Sequence, residues 1–377
     1  MTPTLHPAAS TRSPCPRSAP PSGLRRALAV LGLLLVGLGA APARAATGLA
    51  VLPAPPGTGP VTLAYPTDAT PADVARGPFT VRVAQNAPPA KGNGRLVVLS
   101  HGSGGSVWPQ FDLAQALVAA GFTVAMPLHA GDNFQDTSDV GPVAWARRPK
   151  EMSQAIDAVA AQAAPGGRFA PLQLDLQRVG AYGMSAGGIT VLTLAGARWS
   201  PALLAKHCEA HIAEDFAGCV GLSTQLTGGV LDGSKMAVAR QVIRLKLGSD
   251  TAWREWNDPR IAAVVAAVPM ATPIDMASIA TPRVPLALVR AGQDAWLAPR
   301  YHLDAVHAAC GARCPLLADM SQGGHGSILS PQVPDLPPDL ARLLNDPPGF
   351  ERSVLPGIYS RIVSFFVKNL QAAAATS

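Results

Sequence analysis

The chain has 377 residues, of which 30 are basic and 24 acidic, for a formal net charge of +6. Five arginines lie in the first 45 residues, which hold no acidic residue, so the rest of the chain carries 25 basic against 24 acidic groups. This near-neutral balance, without a basic cluster beyond Arg147-Arg148, argues against nucleic acid or an anionic membrane surface as a partner.

Residues 1–45 have the composition of a secretory signal peptide. A positive region ends at Arg26, an uncharged apolar run over 27–43 is short for a membrane span, and Ala43 and Ala45 form a small-x-small cleavage pattern. We therefore expect an exported protein, periplasmic or extracellular, with no stable membrane anchor after cleavage. The route of export stays open, as does a signal anchor in place of cleavage.

The remaining chain, residues 46–377, predicts one α/β domain, because short apolar strands alternate with helical patterns and no long polar linker divides them. This alternation is typical of a mostly parallel twisted sheet with helices on both faces. In chain order, the predicted elements are antiparallel edge strands at 61–65 and 79–83, a strand at 96–100, a helix at 110–120, a strand at 122–126, a helix that begins near Pro149, a strand at 179–182, a helix after Ser185, strands at 261–268, 284–289 and 315–320, and a closing helix at 360–371.

The segment 199–256 interrupts this alternation with sequence rich in Ala, Leu and Gly that is helical in pattern. In open α/β sheets, insertions after the carboxyl end of a strand lie over the ligand crevice. We therefore expect a helical cap insertion that shapes a substrate pocket. A peripheral excursion is the alternative.

Cysteine usage agrees with export, because Cys15 lies in the predicted signal peptide and an even set remains. That set is Cys208, Cys219, Cys310 and Cys314. Two disulfides are expected, and pairing between sequence neighbours is favoured among the three possible connectivities. A metal site of His207, His211 and Cys219 is the competing interpretation, but oxidised cysteines fit an exported protein better, so no metal and no cofactor is predicted.

A nucleophile motif of the form G-x-S-x-G lies at 183–187, between a strand pattern and a helical pattern. In this context the glycines allow a sharp turn that exposes the serine hydroxyl. Ser185 is therefore the predicted nucleophile. The alternative is a glycine-rich turn without catalytic meaning.

A serine nucleophile needs a general base and a carboxylate that orients it. Asp294 and His325 each follow a predicted strand, and the order Ser, Asp, His is the one that α/β-hydrolases use. As base, His129 would break that order. Asp319 lies within a strand and Asp250 in the predicted cap, so both are weaker candidates for the acid.

The oxyanion of acyl transfer needs two aligned donors. The glycine-rich segment 101–105 follows the first buried strand, so we predict the backbone N–H groups of Ser103 and Ala186 as those donors. Three further residues are predicted to line the substrate pocket, with burial in the core as the alternative for the two indoles. They are Trp108, His129 and Trp296.

These motifs resemble those of bacterial proteins described as predicted dienelactone hydrolases, which are similar in turn to platelet-activating-factor acetylhydrolases. The resemblance rests on HGSGG at 101–105, HAGDNF at 129–134 with DTS at 136–138, Arg148-Pro149, and GMSAGG at 183–188. It implies an α/β-hydrolase fold, hydrolysis of esters or lactones, the triad named above and an oxyanion hole at Ser103 and Ala186. True dienelactone hydrolases use a cysteine nucleophile, whereas this chain has Ser185.

The predicted function is hydrolysis of a small-molecule ester or lactone by an exported serine carboxylic-ester hydrolase, through an acyl-enzyme. The first alternative is a lipase or phospholipid acetylhydrolase, and polyester depolymerisation is a weaker one. A secreted binding protein that keeps the fold without turnover is the alternative from another class.

Overall fold

The structure is a computed structural model that describes residues 46–53 and 57–371; the predicted signal peptide, residues 1–45, lies outside them. The described chain alternates strands and helices around a single mixed sheet. The strands are β1 Ala46–Leu52, β2 Val61–Thr67, β3 Ala72–Arg76, β4 Phe79–Gln85, β5 Leu96–Ser100, β6 Thr123–Pro127, β7 Val179–Met184, β8 Ile261–Ala267, β9 Leu286–Ala291 and β10 Leu316–Met320. The helices are α1 Phe111–Ala119, α2 Pro142–Ala163, α3 Ala186–Leu194, α4 Pro201–His211, α5 Phe216–Val220, α6 Asp232–Leu247, α7 Met276–Ile279, α8 Leu303–Cys310, α9 Pro338–Leu344 and α10 Leu355–Gln371.

The sheet combines a parallel block with an antiparallel extension, in the strand order β10-β9-β8-β7-β5-β6-β2-β1-β4-β3. Neighbouring strands from β10 to β6 are parallel. Strand β2 runs antiparallel to both β6 and β1, and β3 runs antiparallel to β4. The predicted α/β class and the mostly parallel sheet are therefore confirmed.

The two upstream strands were wrongly predicted to be sheet edges. Strand β2 lies between β1 and β6 with every residue buried, and β4 lies between β1 and β3. The expectation failed because it lacked β1, which pairs with both β2 and β4, and the exposed, polar β3, which forms the true edge.

Helix α2 begins seven residues before the predicted start near Pro149. Pro142 takes an opening position of this helix, where its missing N–H costs nothing, and Pro149 lies inside. Both prolines fit a helix start locally, and the pattern alone favoured the wrong one. The earlier start matters because the middle of α2 buries Arg148 and Glu151.

Helices cover both faces of the sheet, as predicted. Along β5, Leu96 and Val98 join one hydrophobic cluster, whereas Val97 and Leu99 join the other. The first cluster includes side chains of α2, α3, α4 and α8, and the second includes side chains of α1 and α10. This alternation follows from the two-residue period of a strand, and it places a core on each side of the parallel block.

The segment predicted as a cap is helical, with α4, α5 and α6 between α3 and β8. A disulfide joins Cys208 of α4 to Cys219 of α5, with a Cα–Cα distance of 5.7 Å. A second joins Cys310 to Cys314, so the neighbour pairing favoured from sequence is the observed one. Among the described helices, none has the length and apolar character required to cross a bilayer.

Candidate active site

Ser185 occupies a sharp turn between β7 and α3. Its backbone adopts φ 57° and ψ −119°, a conformation that residues other than glycine rarely adopt. Its N–H donates to the Ala267 carbonyl at 3.2 Å, and its carbonyl accepts from Met270 N at 3.0 Å. Backbone hydrogen bonds to the end of β8 and to the loop after it therefore stabilise the strained turn.

The glycines of the motif allow a close approach of backbone segments. A Cβ on Gly187 would lie 2.1 Å from the Ser100 carbonyl oxygen, and one on Gly183 would lie 2.0 Å from the Gly187 carbonyl oxygen. Neither distance is possible for a side chain. Gly183 is thus required by the packing of α3 on β7, and Gly187 by the close approach of α3 to the neighbouring strand β5.

His325 and Asp294 form a buried pair at the same edge of the sheet, in the loops after β10 and β9. His325 Nδ1 donates to Asp294 Oδ2 at 2.7 Å, and both side chains are almost fully buried. Asp294 Oδ1 accepts from the N–H groups of Trp296 at 2.9 Å and Leu297 at 2.8 Å. Because Nδ1 is bound to the carboxylate, Nε2 is the ring nitrogen that remains for the cavity.

Ser185 and His325 line one cavity of about 350 Å³. Trp108 and Trp296 line the same cavity, and the Trp296 indole lies 5.2 Å from the His325 ring, centroid to centroid. The structure thus brings the predicted nucleophile, base and acid to one place. They come from three loops that follow parallel strands.

The segment predicted as the oxyanion loop borders the same cavity. The Ser103 hydroxyl and the Gly104 N–H each donate to Asp132 Oδ1 at 2.7 Å. Ala186 is the first residue of α3, so its N–H has no acceptor within the helix. The two hydrogen bonds to Asp132 hold residues 103–104 beside Ser185.

Arg148 stabilises the segment 101–105 through its guanidinium. It was not identified as a functional residue from the sequence. Its guanidinium is fully buried, pairs with Asp132 at 2.8 Å, and donates to the carbonyls of His101 at 2.5 Å and Gly102 at 3.3 Å. Burial lowers the pKa of Arg148, and the Asp132 carboxylate opposes that effect. Arg148 and Asp132 entered the sequence analysis only through the resemblance, since nothing in the local pattern shows that they meet.

His129 does not line the pocket, contrary to prediction. Its side chain is fully buried, its Nδ1 donates to Glu151 at 2.5 Å, and its Nε2 accepts from the Ser100 hydroxyl at 2.7 Å. Burial lowers the pKa of His129 well below its ordinary value, so the ring stays neutral. The position after β6 was identified correctly, but the side chain points to α2 instead of the cavity.

The competing acids have other partners. Asp319 pairs with Arg290 at 3.1 Å, and Asp250 pairs with Arg254 at 2.5 Å. Asp294 is the carboxylate that reaches His325.

One group in the described chain comes close to a metal-site arrangement: His207, Asp215 and Cys219. The sulfur of Cys219 is bonded to Cys208, so no thiolate is available for a metal. Asp215 instead accepts from His207 Nε2 at 2.8 Å and His302 Nε2 at 2.9 Å. Burial raises the pKa of Asp215, but these hydrogen bonds outweigh burial and hold it below its usual range.

Asp215 thus connects the insertion to the loop that carries Asp294, because it also accepts from Ala298 N at 3.2 Å. Sequence reasoning missed this link, which joins residues 83 positions apart.

Neither models of protein families nor curated proteins match this chain.

Proposed function

We propose that this chain is an exported serine hydrolase of the α/β-hydrolase fold that cleaves carboxylic esters through an acyl-enzyme. The observation that carries the proposal is the buried hydrogen bond from His325 Nδ1 to Asp294, on a histidine that lines the same cavity as Ser185. A histidine whose Nδ1 is bound to a carboxylate has the tautomer and orientation that a general base requires.

In the first half of the reaction, His325 Nε2 takes the proton from Ser185 Oγ as the oxygen attacks the ester carbonyl. The oxyanion of the tetrahedral intermediate accepts from the N–H groups of Ser103 and Ala186. The intermediate then collapses, the C–O bond to the alcohol breaks, and His325 gives its proton to the leaving oxygen.

In the second half, a water molecule gives a proton to His325 and attacks the acyl carbonyl. The second tetrahedral intermediate releases the acid and returns the proton to Ser185 Oγ. Asp294 stabilises the imidazolium in both halves without taking a proton.

The fold assignment is supported by where the three groups lie along the sheet. Ser185 follows β7, Asp294 follows β9 and His325 follows β10, and these strands belong to one parallel block. Ligand sites of open α/β sheets lie at the carboxyl ends of parallel strands. The strained conformation of Ser185 is also that of a nucleophile elbow.

Export is supported by the two disulfides, because such bonds persist in oxidising compartments, and by the signal-like composition of residues 1–45. The resemblance to predicted dienelactone hydrolases favours small-molecule esters or lactones as substrates. A lipase is the second candidate, because Trp108, Leu336 and Leu340 make much of the cavity apolar.

Labelling with a fluorophosphonate probe tests the proposal and separates an enzyme from a binding protein of the same fold. We expect one probe per chain on the peptide that carries Ser185, and no label in Ser185→Ala. Ser106→Ala removes another hydroxyl from the lining of the same cavity and is the matched control, which should label like the unaltered chain. A label on Ser185→Ala equal to that of the unaltered chain would overturn the assignment.

A further inference from the structure

Two cavities meet at Ser185. The first, here the Trp108 cavity, measures about 350 Å³ and is lined by Trp108, Phe79 and Leu340 among others. The second, here the Trp145 cavity, measures about 490 Å³ and is lined by Trp145, Leu247 and others. Each lies within the range of about 300 to 1,000 Å³ that is typical of small-molecule sites. Either cavity alone can therefore hold a group of several carbon atoms.

The two cavities share the residues around the reacting bond. Ser103, Ser185 and Leu222 line both of them. A substrate whose carbonyl lies at Ser185 can therefore extend in two directions. One part of it enters each cavity.

The side chains that line the two cavities indicate which substrate groups each cavity can bind. Among the described residues, none that lines the Trp145 cavity carries an acidic or basic side chain. In the described lining of the Trp108 cavity, the ionisable side chains are His325 and Arg76, and the Arg76 guanidinium lies over the Trp108 ring at 5.6 Å from its centroid. Burial of a charged substrate group without a partner is costly. The Trp145 cavity therefore favours uncharged, apolar groups, and so does the part of the Trp108 cavity that lies away from Arg76.

The chemistry of the triad assigns a part of the ester to each cavity. His325 lines the Trp108 cavity and must return a proton to the alcohol oxygen, so the leaving alcohol lies on that side. Ala186 lines the Trp145 cavity, and its N–H is a proposed oxyanion donor. The acyl chain therefore extends from the oxyanion position into the Trp145 cavity.

We propose that the substrate is an uncharged ester with a sizeable apolar group on each side of the scissile bond, its alcohol part in the Trp108 cavity and its acyl part in the Trp145 cavity. The inference rests on the proposed function and sharpens it. An acetyl group would leave most of the Trp145 cavity without contacts, so acetyl esters are poor substrates. Selectivity for the acetyl group, as in an acetylhydrolase, is disfavoured for the same reason.

The test uses two ester series and two variants on the mature chain. One series varies the acyl group from acetyl to hexanoyl with a fixed alcohol, and the other varies the alcohol from methyl to hexyl with a fixed butanoyl group. Burial of each added methylene should raise kcat/KM about fourfold until the cavity is filled. The acyl series adds four methylenes and should rise by roughly 250-fold over its length, and the alcohol series adds five and should rise by roughly 1,000-fold.

Leu247→Trp and Leu340→Trp form a matched pair, because each replaces a half-buried helical leucine on the lining of one cavity only. Leu247→Trp should lower the hexanoyl-to-acetyl ratio of kcat/KM by about tenfold and leave the alcohol series unchanged. Leu340→Trp should do the reverse. Labelling of Ser185 by the fluorophosphonate probe should persist in both variants.

Flat series from a chain that labels at Ser185 would overturn this inference and leave the proposed function standing. So would a variant that flattens both series equally, or the two variants acting on each other's series. A chain that neither labels at Ser185 nor hydrolyses any ester would overturn the proposed function itself.

Discussion

The loops that carry Ser185, Asp294 and His325 and the insertion of α4 to α6 border the same cavities, but they are held in different ways. Asp294 and His325 are buried and hydrogen-bonded to each other, and Arg148 holds the oxyanion loop from a fully buried position. Helix α6, by contrast, has no buried residue at all. The insertion is tied down chiefly at α4 and α5, by the Cys208–Cys219 disulfide and by Asp215.

This contrast distinguishes the residues proposed to carry out the reaction from those proposed to select the substrate. Groups that move protons must keep their distances to within a fraction of an ångström, so a sheet with rigid loops suits them. Residues that contact the acyl chain only need to exclude water and provide apolar surface. Substitutions in the first region should therefore change kcat, and those in the insertion should change substrate preference.

Substitution of His325 or Asp294 should cause the greatest loss of activity. His325→Ala should lower kcat by about 10⁶-fold and Asp294→Asn by about 10⁴-fold, because the first removes the base and the second disturbs its tautomer. Leu245→Gln is the control variant in the insertion, on the exposed face of α6, where 69% of the residue is exposed. Steady-state kinetics with one short ester should give that variant an unchanged kcat. A comparable loss in Leu245→Gln would break the distinction between the two regions.

Arg148→Met should give the second-largest effect. It leaves the Asp132 carboxylate buried without its partner, which costs about 3 to 5 kcal/mol of unfolding free energy, and it releases the oxyanion loop. In the fraction that stays folded, kcat should fall about 100-fold with little change in KM. Urea unfolding and steady-state kinetics measure the two effects.

Two further variants test whether Arg148 is a positioning residue. Arg148→Lys keeps the charge but loses the fork of donors, so it should recover part of the stability and less of kcat. Lys150→Met, on the exposed side of the same helix, should stay within about 0.5 kcal/mol of the unaltered chain. Equal recovery of stability and kcat in Arg148→Lys would show a purely structural role.

Removal of each disulfide in turn tests how the Cys208–Cys219 bond stabilises the insertion. Replacing both Cys208 and Cys219 by Ala should lower the unfolding free energy by about 3 kcal/mol, and the matched pair Cys310 and Cys314, which closes a shorter loop, by about 2 kcal/mol. Only the first pair should also raise KM for a hexanoyl ester, because Cys219 lines the Trp145 cavity. If both double variants raised KM for the hexanoyl ester, the rise could not be attributed to the insertion.

The smallest effect concerns pH. Burial holds the pKa of His101 well below its ordinary value, and its Nε2 accepts from the His129 N–H, which requires the neutral ring. Its Nδ1 donates to the Gly102 carbonyl, and this bond raises the pKa without outweighing burial. The unfolded chain takes up a proton near pH 6.5 and the folded chain does not, so stability is full above that pH and falls below it. The contribution of His101 is about 1 kcal/mol between pH 6.5 and 5.5.

His129 acts in the same direction as His101, whereas burial raises the pKa of Glu151 and acts against both. The His101 contribution is therefore isolated by comparing the unaltered chain with His101→Gln in urea unfolding from pH 7.5 to 5.5. The variant should lose about 1 kcal/mol less on acidification. Identical pH profiles would contradict the buried neutral state of His101.

The sequence predicted the parts of the site that depend on local pattern. The glycines around Ser185 lie in a strand-to-helix turn, and Asp294 and His325 follow strands, so their positions could be inferred from element order. Position after a strand does not determine where a side chain points, however. His129 follows β6 and was expected in the pocket, but its ring is bonded to Glu151 on α2.

The parts that sequence reasoning missed depend on contacts between distant segments. Arg148 meets Asp132 only because α2 packs beside the oxyanion loop, and Asp215 meets His302 across 87 positions. The start of α2 was misplaced because Pro142 and Pro149 both suit a first turn. The edge of the sheet was misplaced because β3 is short and exposed, so its pattern resembles a loop.

We expect Ser185 to carry the acyl group during turnover. Rapid acid quenching of the chain with a nitrophenyl hexanoate, followed by mass spectrometry of its peptides, tests this most directly. The mass of a hexanoyl group should appear on the peptide that contains Ser185 and should be absent in Ser185→Ala. Hydrolysis by Ser185→Ala at the rate of the unaltered chain, or an acyl group only on another residue, would contradict it.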